Sequence, residues 1–146
     1  MSGPIILIVT SRYYAQVAAE LEAGVADALS AAGARFEFLE VPGAFEVPGA
    51  ITMAAEARTH DGFVALGCVI RGETSHYDLI CTEVARGIMD ISLSGVPVAF
   101  GVLTVETEEQ AMVRASRTGK NKGQEIAAAV LRMIELSKGF GEIESE

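Results

Sequence analysis

Short, almost unbroken apolar runs alternate with segments of helical spacing from one end of this chain to the other, and that alternation limits the fold more than any other feature. Ile5 to Thr10 is a run of the kind a buried strand requires, because a strand covered on both faces has no polar side to present. From Ala15 to Ala32 the spacing changes. Ala18, Leu21, Val25, Ala28, Leu29 and Ala32 recur at helical intervals, and Gly33 supplies a stop. Arg35 to Val41 begins by alternating, with Phe36 and Phe38 on one face, until Pro42-Gly43 breaks it. Ala44 to Arg58 predicts a second helix whose first turn is disturbed by Pro48 and Gly49. Gly62 to Ile70 is the clearest central strand, and a charged, glycine-containing stretch, Arg71 to His76, ends it. Tyr77, Ile80, Cys81, Val84, Ala85 and Ile88 form the apolar stripe of a third helix. Val96 to Val105 predicts the fourth strand, and Thr107 to Ala115 a short helix with Thr107 as N-cap. After a polar break from Ser116 to Lys122 comes a last helix to about Ser137, with the acidic tail 139–146 expected to fray.

The order β-α-β-α-β-α-β-α-α predicts the α/β class: a four-stranded parallel sheet between two helical layers, doubly wound in the flavodoxin-like manner. The 146 residues carry no repeat, linker or shift in composition, so one domain spanning residues 1–146 is expected. The formal net charge of −9 argues against a general binder of nucleic acid or anionic membrane, since phosphate backbones select basic surfaces. It leaves room for a small phosphorylated ligand, which needs only one or two placed cations. Cys68 and Cys81 lack Cys-x-x-Cys spacing, and Ile5 to Val9 is too short to span a bilayer, so reduced thiols and a cytoplasmic location are expected.

In sheets of this kind ligands bind beyond the carboxyl ends of the strands. That rule selects Ser11 to Tyr14, Pro42 to Glu46, Arg71 to His76 and Phe100 to Val105. In the third of these, Gly72, Thr74 and Ser75 immediately precede a helix, whose first amides lack internal partners and attract anions. A plain Ser/Thr cap explains such a turn equally simply. His76, at its edge, has the chemistry to move protons near neutral pH, or is an ordinary loop histidine. His60, beside Asp61, is expected to be solvated and inert. Arg114 suits a phosphate as a planar fork, unless Glu108 or Glu109 satisfies it. Lys122 opens the last helix, where a cation is disfavoured unless it faces an anion. Tyr13, Phe45 and Phe100 lie at or near strand ends, where rings either pack in the core or face a flat heteroaromatic ligand. Glu46 either complements a helix dipole or accepts hydrogen bonds from a pyrimidine or polyol. Neither a metal-ligand pattern nor a Walker, Gly-x-Ser-x-Gly or Gly-x-Gly-x-x-Gly motif is present.

Several segments together resemble lumazine synthase. They are Val41-Pro42-Gly43-Ala44-Phe45-Glu46-Val47-Pro48, Gly67 to Asp78 with Gly72-Glu73-Thr74-Ser75-His76, Gly95 to Thr104, Glu109 to Ala115, and Asn121-Lys122-Gly123. The likeness runs in order from about Ile5 to Leu136. It implies an enzyme that joins 5-amino-6-(D-ribitylamino)uracil to 3,4-dihydroxy-2-butanone 4-phosphate, releasing phosphate and water, with no metal or organic cofactor. By resemblance, Tyr13 and Phe100 frame the pyrimidine, and the main chain of Ala44 and of Cys68, Val69 and Ile70 binds its polar edge. Phe45 and Glu46 meet the ribityl chain. Glu73 and Thr74 hold the phosphate through backbone amides, with Arg114 and Lys122 as cations, and His76 relays protons.

The family forms pentamers, some of which close into larger shells, with each active site shared between neighbouring subunits. By resemblance, Phe100 and Arg114 would face a shared pocket from one subunit, while Tyr13, Phe45 and His76 would come from the other, or the reverse. Tyr13 replaces the Phe or Trp of many relatives, and Met1 to Pro4 is too short for the N-terminal strand that many lend to a neighbour. The competing readings are a flavin- or lumazine-binding carrier and a shell protein without catalysis. The bulky turn Ser11-Arg12-Tyr13-Tyr14-Ala15 argues against the first, and the joint presence of Glu46, His76 and Arg114 against the second.

Overall fold

The structure, a computed structural model, describes residues 3–145. Four strands, β1 (Ile5–Ser11), β2 (Arg35–Val41), β3 (Gly62–Ile70) and β4 (Val98–Val105), pair in parallel in the order β2-β1-β3-β4. Five helices join and follow them: α1 (Ala15–Ala31), α2 (Val47–Ala57), α3 (His76–Leu93), α4 (Glu108–Ala115) and α5 (Lys122–Ser145). This is the three-layer α/β/α arrangement that the alternation implies. One core packs α1, α4 and α5 on one face of the sheet through Leu21, Val25, Leu29, Ala111 and Val130. The other packs α2 and α3 on the opposite face through Val47, Ile51, Val84 and Ile88.

The burial of each strand follows its place in the sheet. Central β1 is buried along its length from Ile6 to Ser11, as an unbroken apolar run must be, whereas edge strand β2 leaves Phe38 and Leu39 exposed. The helix ends obey their local chemistry. Gly33 takes φ +78° after α1, a conformation that glycine adopts without strain, and the Thr107 hydroxyl accepts from the Gln110 amide at 3.1 Å to start α4. Helices α1 and α5 cross where Gly24 meets Gly123. A β-carbon at Gly123 would stand 2.7 Å from the Val25 nitrogen and 2.9 Å from the Gly24 backbone.

Three expectations need adjustment. Pro48 does not sit inside a single helix: Ala44–Glu46 forms a separate 3-10 turn, and α2 begins at Val47 with proline in its first turn, where no amide is required. The last helix, expected to stop near Ser137, continues to Ser145, and Glu146 lies outside the described residues. Val96 and Pro97 precede β4.

Candidate active site

The chain leaves β1 for β2 on one side and returns to β3 on the other, so strand order reverses between β1 and β3. Helices here cannot cover the sheet edge from both directions, and a crevice opens beyond the carboxyl ends. A cleft of about 610 Å³ occupies that place. It gathers three of the four strand-end segments: Tyr13 from the turn after β1, Ala44, Phe45 and Glu46 from the turn after β2, and His76 from the start of α3. Cys68, Val69 and Ile70 form its floor at the end of β3.

The chemistry of this cleft is aromatic and hydrogen-bonding. Tyr13 is 76% exposed and Phe45 56%, so both rings stand clear of the core with faces available to a ligand. Tyr13 meets the edge of Tyr14 at 5.0 Å between ring centroids. Glu46 precedes α2 without capping it by a side-chain bond. Burial, with a smaller contribution from Glu108, pushes the Cys68 thiol up to about 11. It is therefore protonated at neutral pH. Arg71, at the end of β3, is fully engaged. It pairs with Glu106 at 2.9 Å and Asp78 at 3.6 Å and lies 4.4 Å over the Tyr77 ring.

The turn Gly72–Ser75 carries Glu73 and Thr74 outside the helix, exposed beside His76. The amides of Gly72 to Ser75 donate to no protein acceptor among the described residues, while the His76 amide donates to the Thr74 hydroxyl at 3.3 Å. Unpaired amides before a helix suit an anion.

Phe100, Arg114 and Lys122 lie elsewhere. They line a second cleft of about 460 Å³ between β4, α4 and the start of α5, and the two clefts share no residue. Phe100 is not at the carboxyl end of its strand, as expected, but in the first half of β4, opposite Ala65 of β3. Because β4 is an edge strand, its ring is left 44% exposed on the outer margin of the sheet. Arg114 is satisfied neither by Glu108 nor by Glu109. Its guanidinium donates to the Gln110 carbonyl at 3.1 Å and forms no ion pair among the described residues. Lys122 reaches Glu125, one turn along α5, at 3.3 Å, which relieves the conflict with the helix dipole locally. Lys120, which sequence reasoning passed over, lines the same cleft. It follows Gly119 in a loop tied to α1 by Arg117, which bonds Glu20 and Asp27 at 3.3 Å each.

A further cavity, about 730 Å³, opens at the opposite end of the sheet beneath α2 and α3 and gathers none of these groups. His60 lines it and is not solvated as expected. Its imidazole is held between Glu37 at 2.7 Å and Thr59 at 2.8 Å, with the side chain only 10% exposed. Among the described residues no three His, Cys, Asp or Glu side chains are grouped to hold a metal, and no helix is long and apolar enough to cross a membrane.

Residues 3–138 match the family model described as 6,7-dimethyl-8-ribityllumazine synthase. The chain is 49% identical over 136 residues to the protein of that name from Sphingopyxis alaskensis, covering 93% of this chain and 96% of the relative. It is 47% identical over 147 residues to the one from Agrobacterium fabrum, covering 97% and 99% respectively.

Proposed function

This chain belongs to the 6,7-dimethyl-8-ribityllumazine synthase family, and from that premise we propose that it joins 5-amino-6-(D-ribitylamino)uracil to 3,4-dihydroxy-2-butanone 4-phosphate at a site built from both clefts. The observation that carries this reading is the division of labour. One cleft has exposed rings, a carboxylate and an imidazole; the other has an exposed ring, Arg114 and Lys122; no residue belongs to both. Each is half of what the reaction requires. A second copy of the chain, presenting its Phe100 and Arg114 to the Tyr13 cleft, supplies the missing half.

In the completed site, Tyr13 and Phe100 frame the pyrimidine, and the main chain of Ala44 and of Cys68 to Ile70 reads its polar edge. Phe45 and Glu46 receive the ribityl chain. The free amides at Glu73 and Thr74 and the partner-facing cations Arg114 and Lys122 hold the phosphate. The substrate amine attacks the ketone and an imine forms with loss of water. Phosphate then departs, and the developing dianion is stabilised where amides and guanidinium converge. Closure of the second ring and loss of water require one group that both accepts and gives a proton, and His76, which lines the Tyr13 cleft, takes that part. Alignment of two reactants that already react slowly in water supplies much of the acceleration.

A ring of such copies closes when each lends one half-site to the next, and the resemblance to the family makes that ring a pentamer or a multiple of pentamers. Its partners are small molecules. Two unpaired cysteines are consistent with a cytoplasmic location, and the match over residues 3–138 with one domain. The direct test supplies both substrates to the purified protein. A fluorescent lumazine should form without added metal and be indifferent to EDTA; product no faster than the uncatalysed background would reject the assignment. Light scattering should return a mass that is a multiple of five chains.

A further inference from the structure

Between the last residue of β1 and the first of α1 lie Arg12, Tyr13 and Tyr14, and a polar cluster that runs from buried Thr10 through partly buried Glu22 to exposed Arg12 and Glu40 adjoins them. β1 ends in Thr10 and Ser11, which are buried although polar, and a buried hydroxyl needs a partner. The Thr10 hydroxyl donates to Glu22 Oε2 at 2.8 Å. The same carboxylate receives the Arg12 guanidinium as a fork, Nε to Oε2 at 2.9 Å and Nη2 to Oε1 at 3.1 Å. A third guanidinium nitrogen reaches Glu40 of β2 at 3.3 Å. Glu22 is 14% exposed, so its charge is largely withdrawn from water and is held by these donors.

We infer that Glu22 is a positioning residue for the pyrimidine-stacking face, acting through Arg12 on Tyr13. The Tyr13 ring is mostly in solvent, and its ring contact is the edge of Tyr14 within the same turn. Its direction is therefore set by the backbone of the turn. The side chain of the adjacent residue, Arg12, is anchored by a bidentate pair, which fixes orientation as well as distance and restrains the turn that carries Tyr13. Glu22 from α1 and Glu40 from β2 reach Arg12 from two elements, and Thr10 ties the same carboxylate to β1. Glu22 does not line the cleft, and its hydrogen bonds go to Thr10 and Arg12; it works by holding Arg12, the neighbour of the residue that does. The inference rests on Tyr13 acting as the stacking face.

Glu22→Gln keeps the shape, removes the charge and spoils the fork. The expected result is a rise of about 10-fold in KM for the ribitylated pyrimidine, with KM for the phosphorylated ketone changed less than about twofold, the scale of coupling between residues in one network. On a Tyr13→Ala background the same substitution should change the pyrimidine KM by less than about twofold. A full penalty persisting on that background, or an equal shift of both KM values, would overturn the inference. If Tyr13→Ala raises the pyrimidine KM and Glu22→Gln does not, only the role of Glu22 falls. If Tyr13→Ala itself has no effect, the stacking role falls and this inference with it. Should Glu22→Gln not fold, Arg12→Lys, which keeps the charge and loses the fork, carries the same expectation and the same refutation.

Discussion

Replacing Arg114 by alanine removes a cation that the fold does not need. Its guanidinium makes one hydrogen bond, to the Gln110 carbonyl of its own helix, and no ion pair among the described residues. Truncation should therefore alter stability by no more than about 0.5 kcal/mol. The consequence for ligand binding is larger. A charge-assisted contact to phosphate is worth about 1.5–3 kcal/mol. At 1.4 kcal/mol per decade that is a rise of roughly 10- to 150-fold in KM for the phosphorylated ketone. The pyrimidine makes no contact with this side chain in the proposed site, so its KM should move less than about twofold. Arg114→Lys, which keeps the charge but not the planar fork, should recover part of the loss. Initial rates of lumazine formation, with each substrate varied in turn against saturating partner, separate the two effects. Equal losses for both substrates would refute the assigned role. So would a fall of many degrees in the unfolding midpoint.

His76→Ala should slow turnover by roughly 10- to 100-fold and flatten the pH–rate profile, because proximity still operates without the proton relay; a profile of unchanged shape would remove His76 from the mechanism. With its thiol raised to about 11, Cys68 should react with iodoacetamide at pH 8 roughly 10- to 100-fold more slowly than a free thiol, and protection should weaken only as pH rises toward that value. Mass spectrometry of the Cys68 peptide reads this directly. Gly123→Ala places a β-carbon 2.7 Å from the Val25 nitrogen, against backbone that cannot yield cheaply. A loss of about 1–3 kcal/mol should result, seen as a fall of several degrees in the melting midpoint.

Much of the fold is visible in the residue pattern for a plain reason. The strands Arg35–Val41 and Gly62–Ile70 are bounded by Pro42-Gly43 and by Arg71-Gly72, where apolar continuity ends abruptly, and the structure places their limits at the same residues. The rule that ligands sit beyond strand ends leads from sequence to Tyr13, Phe45 and His76, because it depends only on which residues follow each strand. What periodicity does not carry is register and strand order. Phe100 was expected at a strand end because it belongs to the fourth apolar run; its pairing with Ala65 and the edge position of β4 put it on the outer margin instead. The separation of Arg114 from His76 into different clefts has the same origin. His60 looked solvated beside Asp61, yet Glu37 and Thr59 enclose it, and a contact 23 residues distant in sequence leaves no local signal. The cluster of Thr10, Arg12, Glu22 and Glu40 escaped for that reason too.

The central claim is that the aromatic and cationic halves of one active site belong to different copies of the chain. Two variants test it: one disabled in the first half, Tyr13→Ala with His76→Ala, and one in the second, Arg114→Ala with Lys122→Ala. Unfolded together at equal amounts and refolded, they should form mixed rings in which a productive site needs the correct neighbour on each side. With random assembly that arrangement occurs for about one site in four, so about a quarter of the parent activity should return from two nearly inactive proteins, a consequence of closed heterologous assembly. Mixed assemblies no more active than the average of the two variants alone would show that each chain completes its own site.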